Sequence, residues 1–270
     1  MFRQSGEVAQ AIEIAQKFNV SLSTRGGGHG YTCQGAKAGG IMLDMRSLKD
    51  MQLHDSVGSS RHITSMTIGT GYTWGEILKE LRKVDKHLVA VHGQCTSVGV
   101  AGFALHGGVH FGGLSELYGL ASDNILGLTA VVANGSTVEL TSNSCVVDGV
   151  STRYSEECRG LFFAFRGAGS SYGVVTSLTL QLHTQPKLQS ALSILSLKIS
   201  DSYRAQKYLS SYMEKIPKEG IYLCVTFRLY SITLLMVTMI NSVFSYKECK
   251  YHKTDKKKLQ LRLSLFPQYH

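Results

Sequence analysis

The chain has 270 residues, 43% of them hydrophobic, which allows a sizeable core and excludes general disorder. Its formal charge of +9 does not mark a nucleic-acid partner, because Lys247 to Arg262 carries seven Lys/Arg against two Asp/Glu and so holds more than half of the excess. The 28 glycines, against 3 prolines, fall in clusters and mark particular loops.

Val8, Ala11, Ile12, Ala15 and Phe18 share one face, with Glu7 in the first turn, so the spacing predicts a helix over Ser5 to Phe18. Val20 to Thr24 reads as a short strand that runs into a glycine loop, Gly26 to Gly30, and Ile41 to Asp44 as a second strand. Thr73 followed by Glu76 is a capping box, opening a helix through Ile77, Leu78 and Leu81. A glycine-rich stretch then runs from Gly93 to Gly113. Asn134-Gly135 between Leu128–Ala133 and Ser136–Leu140 is a hairpin signal. A third glycine loop, Gly167 to Gly173, feeds a strand in which Leu178, Leu180 and Leu182 alternate with Thr179 and Gln181.

Helices and strands mix without a βαβα alternation, which favours an α+β fold over a doubly wound sheet. The character changes at Pro186, giving one domain over residues 1–185 and a second over 186–270. Ser200 to Lys215 reads as a helix. Leu229 to Tyr246 is uncharged for 18 residues, but its Ser, Thr and Asn and the adjoining Arg228 suit a buried strand pair or a non-native tail, not a membrane span. Lys256-Lys257-Lys258, with only Asp255 near, do not belong in a sheet core. The six cysteines (33, 95, 145, 158, 224 and 249) form no C-x-x-C and no zinc spacing with histidine, so no metal is expected, and a chain of this length needs no disulfide scaffold. M-F-R-Q-S-G-E lacks the apolar run of a signal peptide, and the compartment stays open.

Three glycine clusters in one domain call for a common explanation. Glycine lets backbone approach a ligand closely, and successive free N–H groups make concave sites suited to a pyrophosphate. The first cluster, Arg25-Gly26-Gly27-Gly28-His29-Gly30-Tyr31, is not a Walker loop, since no Gly-Lys-Ser/Thr ends it. It is not the Rossmann fingerprint either, since Tyr31 stands where the last glycine is needed and no helix pattern follows. His29 has no bulky neighbours in this run, and a neutral imidazole beside a cofactor is a nucleophile or proton carrier.

R-G-G-G-H-G-Y resembles the R-S-G-G-H-S-Y motif of FAD-linked oxidases of the p-cresol methylhydroxylase/vanillyl-alcohol oxidase type, most nearly the berberine bridge enzyme-like branch. His92-Gly93-Gln94-Cys95-Thr96-Ser97-Val98-Gly99-Val100-Ala101-Gly102 resembles that family's G-x-C-P-T-V-G-V-G-G, and Gly107 and Gly108 continue its glycine-rich stretch. Tyr118-Gly119-Leu120-Ala121-Ser122-Asp123-Asn124 is similar to Y-G-L-A-A-D-N. The run from Phe162 to Thr176, with Arg166, Gly167, Val174 and Val175, is similar to F-W-A-L-R-G-G-G-G-S-F-G-V-V-T. Together these cover residues 1 to about 183.

The resemblance implies a two-subdomain FAD-binding fold followed by an incomplete α+β substrate domain. It implies FAD as cofactor, attached at its 8α-methyl to His29 and at its 6-position to Cys95. Arg25, Gly26, Gly27, Gly28, Gly30, Tyr31, Thr96, Ser97, Gly99, Gly102, Gly107, Tyr118, Gly119, Val174 and Val175 fall on its cofactor-binding positions, and Tyr31 is the catalytic candidate. His29 and Cys95 would flank one ring, on the order of 10 Å apart. The implied reaction passes hydride from a substrate C–H to the flavin, with a small-molecule substrate such as a sugar or alcohol and with O2 or another electron acceptor; neither nucleic acid nor a membrane is implied. Ala101 and Ala168 replace family glycines, which requires negative φ there. No catalytic carboxylate or C-terminal Tyr-x-Asn segment follows residue 186, so the chain reads as shortened, with a tail from about Leu229 that is not native. A fragment that binds FAD without turnover is therefore the alternative.

Overall fold

The computed structural model describes residues 5–55, 62–110, 113–169, 171–186, 189–198, 207, 221–230, 233–242 and 262–265. The chain divides into two compact units, Met1–His110 with Tyr118–Gln185, and Phe111–Leu117 with Pro186–His270. The helix expected after Ser200 lies outside the described residues, Lys207 apart, as do Lys256 to Lys258.

The first unit opens with α1 (Ser5–Lys17), which buries Val8, Ala11, Ile12 and Ala15 as the periodicity requires. Phe18 does not join that face and is 67% exposed. Asn19, at φ 49°, ends the helix in a Schellman turn, with Val20 N–H donating to Ala15 O (2.9 Å) and Asn19 N–H to Gln16 O (3.1 Å). β1 (Leu22–Arg25) pairs in parallel with β2 (Ile41–Asp44), Arg25 opposite Asp44. Next come β3 (Met51–Asp55), β4 (Ile63–Gly69), α2 (Trp74–Val84), β5 (Leu88–Val89) and the five-residue helix α3 (Val100–Ala104); α4 (Leu114–Tyr118), next in chain order, belongs to the second unit up to Leu117. β6 (Ile125–Val132), β7 (Thr137–Thr141), β8 (Cys145–Val147), β9 (Val150–Thr152), α5 (Glu156–Ala168), β10 (Gly173–Gln181) and β11 (His183–Thr184) complete the first unit.

Seven strands form one antiparallel sheet in the order β3-β4-β10-β6-β7-β8-β9. β10, the last of these strands in sequence, inserts between β4 and β6 and pairs Leu178 with both Ile68 and Leu128. The β6–β7 hairpin turns at Asn134-Gly135, where Gly135 takes φ +86°. α1 packs onto this sheet and onto the parallel pair: Val8, Ala11 and Ile12 meet Leu43, Met45, Leu48, Val131 and Val174. One core thus joins the parallel pair to the large sheet.

The third glycine loop is shorter than the sequence suggests. Gly167 falls in the last turn of α5, just past a break at Arg166 (φ −83°, ψ 29°), with Phe162 and Phe165 buried on the helix before it; Gly169 to Tyr172 link α5 to β10. Ala168 also lies in α5 and Ala101 in α3, and neither has positive φ.

In the second unit, β12 (Gln189–Lys198), β13 (Ile221–Tyr230), β14 (Thr233–Ser242) and β15 (Arg262–Leu265) form an antiparallel sheet in the order β13-β14-β12-β15. Leu229 and Tyr230 end β13 and pair with Leu234 and Thr233, and β14 carries the uncharged stretch as far as Ser242. No helix among the described residues is long and apolar enough to cross a membrane.

Cys145, at the start of β8, is disulfide-bonded to Cys158 in α5, with the Cα atoms 6.1 Å apart. Length alone gave no reason to expect this bridge. It ties the first turn of α5 to the edge of the large sheet, whose last strands are only three residues each. Cys158→Ser should lower the unfolding free energy by about 2–4 kcal/mol, the usual weight of a native disulfide. Denaturant melts of the two proteins check this, with non-reducing peptide maps of the parent identifying the Cys145–Cys158 pair.

Candidate flavin site

The site begins with two loops that touch. Arg25 ends β1, and its carbonyl accepts Met45 N–H (3.0 Å), so the chain leaves the parallel pair at a fixed point. Gly26 lies beside Thr70 O. A Cβ at Gly27 would stand 2.3 Å from Gly99 N, and one at Gly99 would stand 2.5 Å from Gly27 N. The backbones of the first and second glycine loops therefore cross in direct contact, which only paired glycines allow.

The second loop is held by α2. The first turn of any helix leaves backbone N–H groups without partners inside the helix. Here Trp74 N–H donates to Val98 O (3.0 Å) and Gly75 N–H to Thr96 O (2.8 Å), while Val100 N–H returns to Tyr72 O (3.0 Å). The Glu76 carboxylate accepts from Thr73 N–H (2.9 Å) and from the Thr73 hydroxyl (3.1 Å), as the capping residues predict. The N-terminus of α2 is thus occupied by loop carbonyls.

This crossing brings His29 and Cys95 together. The Ser97 hydroxyl lies 2.9 Å from His29 Nε2 and 3.2 Å from Cys95 Sγ. Nitrogen and sulfur are then within about 6 Å of each other, the combined length of the two contacts and well inside the separation anticipated from the sequence. All three residues are solvent-accessible. The Ser97 hydroxyl, with the backbone N–H groups of Ser97 and Val98, pulls the Cys95 thiol below its ordinary range. A thiol of that kind is a better nucleophile at neutral pH than an ordinary one.

The remaining predicted residues divide into two groups. Gly28 (φ +70°) sits against the Arg25 guanidinium, and Gly30 O accepts Cys33 N–H (3.4 Å), so both shape the His29 loop. Tyr31 projects fully into solvent. Thr96 joins the loop to α2 through its carbonyl, and Gly102 lies in α3, where its carbonyl faces His106 Nδ1 (2.8 Å). Gly107 O accepts Ser122 N–H (2.9 Å). Tyr118 is engaged elsewhere: its ring stacks on His183 (3.9 Å, 9°) and its hydroxyl donates to Thr184 O (2.9 Å), while Gly119 makes the adjoining turn at φ +78°. Val174 and Val175 are buried in β10, Val174 against α1. A ligand would reach these two through their backbone.

The third glycine loop meets the second. Gly169 N–H donates to Leu105 O (3.0 Å), and a Cβ at Gly169 would strike the His106 ring. Arg166 Nε donates to Ser122 O (2.8 Å), which ties the third and fourth motifs to each other. The three loops therefore form one continuous set of contacts.

The sequence did not single out His92 and His110, whose rings meet edge to face (4.6 Å) behind the second loop. His110 Nδ1–H donates to His92 O (2.7 Å) and His92 Nδ1–H to Gly93 O (2.8 Å). Burial drives His92 down to about 4, against the opposing effect of the Gly93 carbonyl, so it is neutral near pH 7 and serves packing against Trp74. No spacing rule links residues 18 apart, and only the fold shows the pair.

An imidazole, a thiol lowered by its donors, and backbone open at glycine fit a flavin edge attacked by two nucleophiles. Among the described residues no group of three His, Cys, Asp or Glu side chains is placed to hold a metal. Gly99→Ala should damage this site selectively, since its Cβ would meet backbone that cannot swing aside. Overpacking of this kind costs about 1–3 kcal/mol. Thermal melts should drop accordingly, and FAD binding should weaken in Gly99→Ala but not in Gly160→Ala, in α5, where the added carbon meets no neighbouring group within 4 Å.

Comparison with known proteins follows the same lines. The family profile described as "FAD binding domain" matches residues 2–141. The chain is 37% identical over 183 residues to (R)-6-hydroxynicotine oxidase of Paenarthrobacter nicotinovorans, an alignment taking in 68% of this chain and 35% of that protein. The crystal structure of 6-hydroxy-D-nicotine oxidase from Arthrobacter nicotinovorans superposes with a TM-score of 0.72 and 28% identity, over 96% of this chain and 54% of that one. Glucooligosaccharide oxidase from Acremonium strictum, described as carrying a 6-S-cysteinyl, 8α-N1-histidyl FAD, shares the fold at a TM-score of 0.69 and 23% identity, over 91% of this chain and 47% of that one. The matched region spans about a third of the length of the curated relatives. With its profile match, its glycine loops and its fold in agreement, the chain belongs to the FAD-binding domain family of the FAD-linked oxidoreductases, and its cofactor is FAD.

Proposed function

We propose that this chain carries its FAD by two covalent links, His29 to the 8α-methyl and Cys95 to the 6-position, and serves as the flavin domain of an oxidoreductase that oxidises a small molecule at a C–H bond. The observation that carries the reading is the Ser97 hydroxyl touching both His29 Nε2 and Cys95 Sγ. Two nucleophiles of different chemistry, His29 and Cys95, meet through Ser97 at one exposed point, although Ser97 lies 68 residues from His29 in the chain. On the flavin the two attachment atoms are separated by three bonds along one edge, a span that two side chains held by a common serine can bracket. The acidified thiol suits attack on a ring carbon and the imidazole suits attack on an activated methyl.

In this reading Arg25, Gly26, Gly27, Gly28 and Gly30 line one wall of the cofactor site, and Thr96, Ser97, Gly99, Gly102 and Gly107 the other. The backbones of Tyr118, Gly119, Val174 and Val175 close its far end. Bound flavin supplies the two-electron chemistry, accepting hydride and passing electrons to O2 or another acceptor. Tyr31, fully exposed on the same loop as His29, is the residue this reading assigns to the substrate. Sugars and alcohols are the substrate classes this reading favours; glucooligosaccharide oxidase, which shares the fold, is named for the first.

Acid precipitation tests the linkage. Flavin colour should stay with the protein pellet in the parent and in each of His29→Ala and Cys95→Ala. It should move wholly to the supernatant in the double variant. Free flavin from the parent would refute covalent attachment.

A further inference from the structure

Ser97 is the only described side chain in contact with both proposed attachment residues, and the direction of its two hydrogen bonds can be argued. Cys95 to Val98 is a tight turn, closed by Val98 N–H donating to Cys95 O (3.2 Å). The attacking form of a cysteine is its thiolate, which has no proton to give, so toward that form the Ser97 O–H, 3.2 Å away, donates. A hydroxyl has one proton. With that proton directed at sulfur, the oxygen can meet His29 Nε2 only by accepting from it. Nε2 then carries the imidazole proton, and the lone pair of neutral His29 lies on Nδ1.

We propose that Ser97 is the positioning residue shared by the two flavin links: its hydroxyl donates to Cys95 Sγ and accepts from His29 Nε2–H, readying the cysteine as a thiolate and fixing the imidazole tautomer that attacks through Nδ1. This rests on the covalent reading above but concerns the chain's own protons, so it is testable without flavin. No proton needs to cross between the residues, and both nucleophiles are prepared by one side chain at once. The titratable group facing Cys95 is His29, through Ser97. The other groups acting on the sulfur are the two backbone N–H donors, and no charged side chain among the described residues contributes. A hydroxyl is the requirement, so Ser97→Thr keeps the function and Ser97→Ala removes it.

The test uses the full chain produced in flavin-starved cells. Iodoacetamide labelling of Cys95, resolved by peptide mass spectrometry across pH 5 to 10, reads its thiolate. The exposed free thiol of Cys33 in the same sample reports reagent access. At pH 7 the Cys95 rate should fall about five-fold in Ser97→Ala, the weight of one lost hydrogen bond, with its profile displaced to higher pH, and should recover in Ser97→Thr. Nitrogen-15 NMR of histidine should place the proton of neutral His29 on Nε2 in the parent. In flavin-replete protein, Ser97→Ala should lower the fraction of Cys95 carrying flavin, again restored by threonine. Unchanged labelling and tautomer in Ser97→Ala, with flavin still found on both residues of the parent, overturns the Ser97 proposal alone. The expected labelling and tautomer with no flavin adduct in the parent overturns the covalent reading and leaves the Ser97 coupling standing.

Discussion

The constraint on which the site depends is the backbone crossing at Gly27 and Gly99. Each position would place a Cβ within 2.5 Å of the other loop's amide nitrogen, so neither tolerates a side chain. Contact at that distance sets the separation of the loops, and with it the meeting of His29, Ser97 and Cys95, each within four residues of the crossing. The crossing is itself fixed from both sides. Arg25 is anchored by the parallel pair and by Met45, and the second loop fills the first turn of α2 with its carbonyls.

That arrangement explains why so much glycine is present and why it is not spread evenly. A phosphate loop would leave helix N–H groups free for an anion. Here the N–H groups of Trp74 and Gly75 are taken by Val98 and Thr96, so α2 works as a clamp. The third loop extends the same contact chain through Leu105 and His106 to Gly169. Buried Trp74 and the partly buried His92 and Phe103 pack behind it, with desolvation keeping His92 neutral near pH 7.

Much of this was legible in the residues. The α1 face, the Thr73–Glu76 cap, the Asn134-Gly135 turn and the alternation through Leu178 and Leu180 are local signals, and the fold obeys them. Phe18 fails because Asn19 stops the helix one residue early, a left-handed turn that periodicity does not weigh. Gly167 fails because a glycine inside a helix is tolerated when Phe162 and Phe165 supply burial. The Cys145–Cys158 bridge was hidden because it depends on β8 and α5 being brought side by side. The motifs pointed to His29 and Cys95 separately. That one serine joins them could not be read from the sequence, since it requires two loops to cross.

The central claim is that one flavin is held between the two loops by His29 and Cys95. The most direct measurement is mass spectrometry of the flavin-replete chain after proteolysis. The account predicts a single yellow species in which the peptide containing His29 and the peptide containing Cys95 are joined through one flavin. Separate, unmodified His29 and Cys95 peptides, with all flavin released as free FAD, would contradict it.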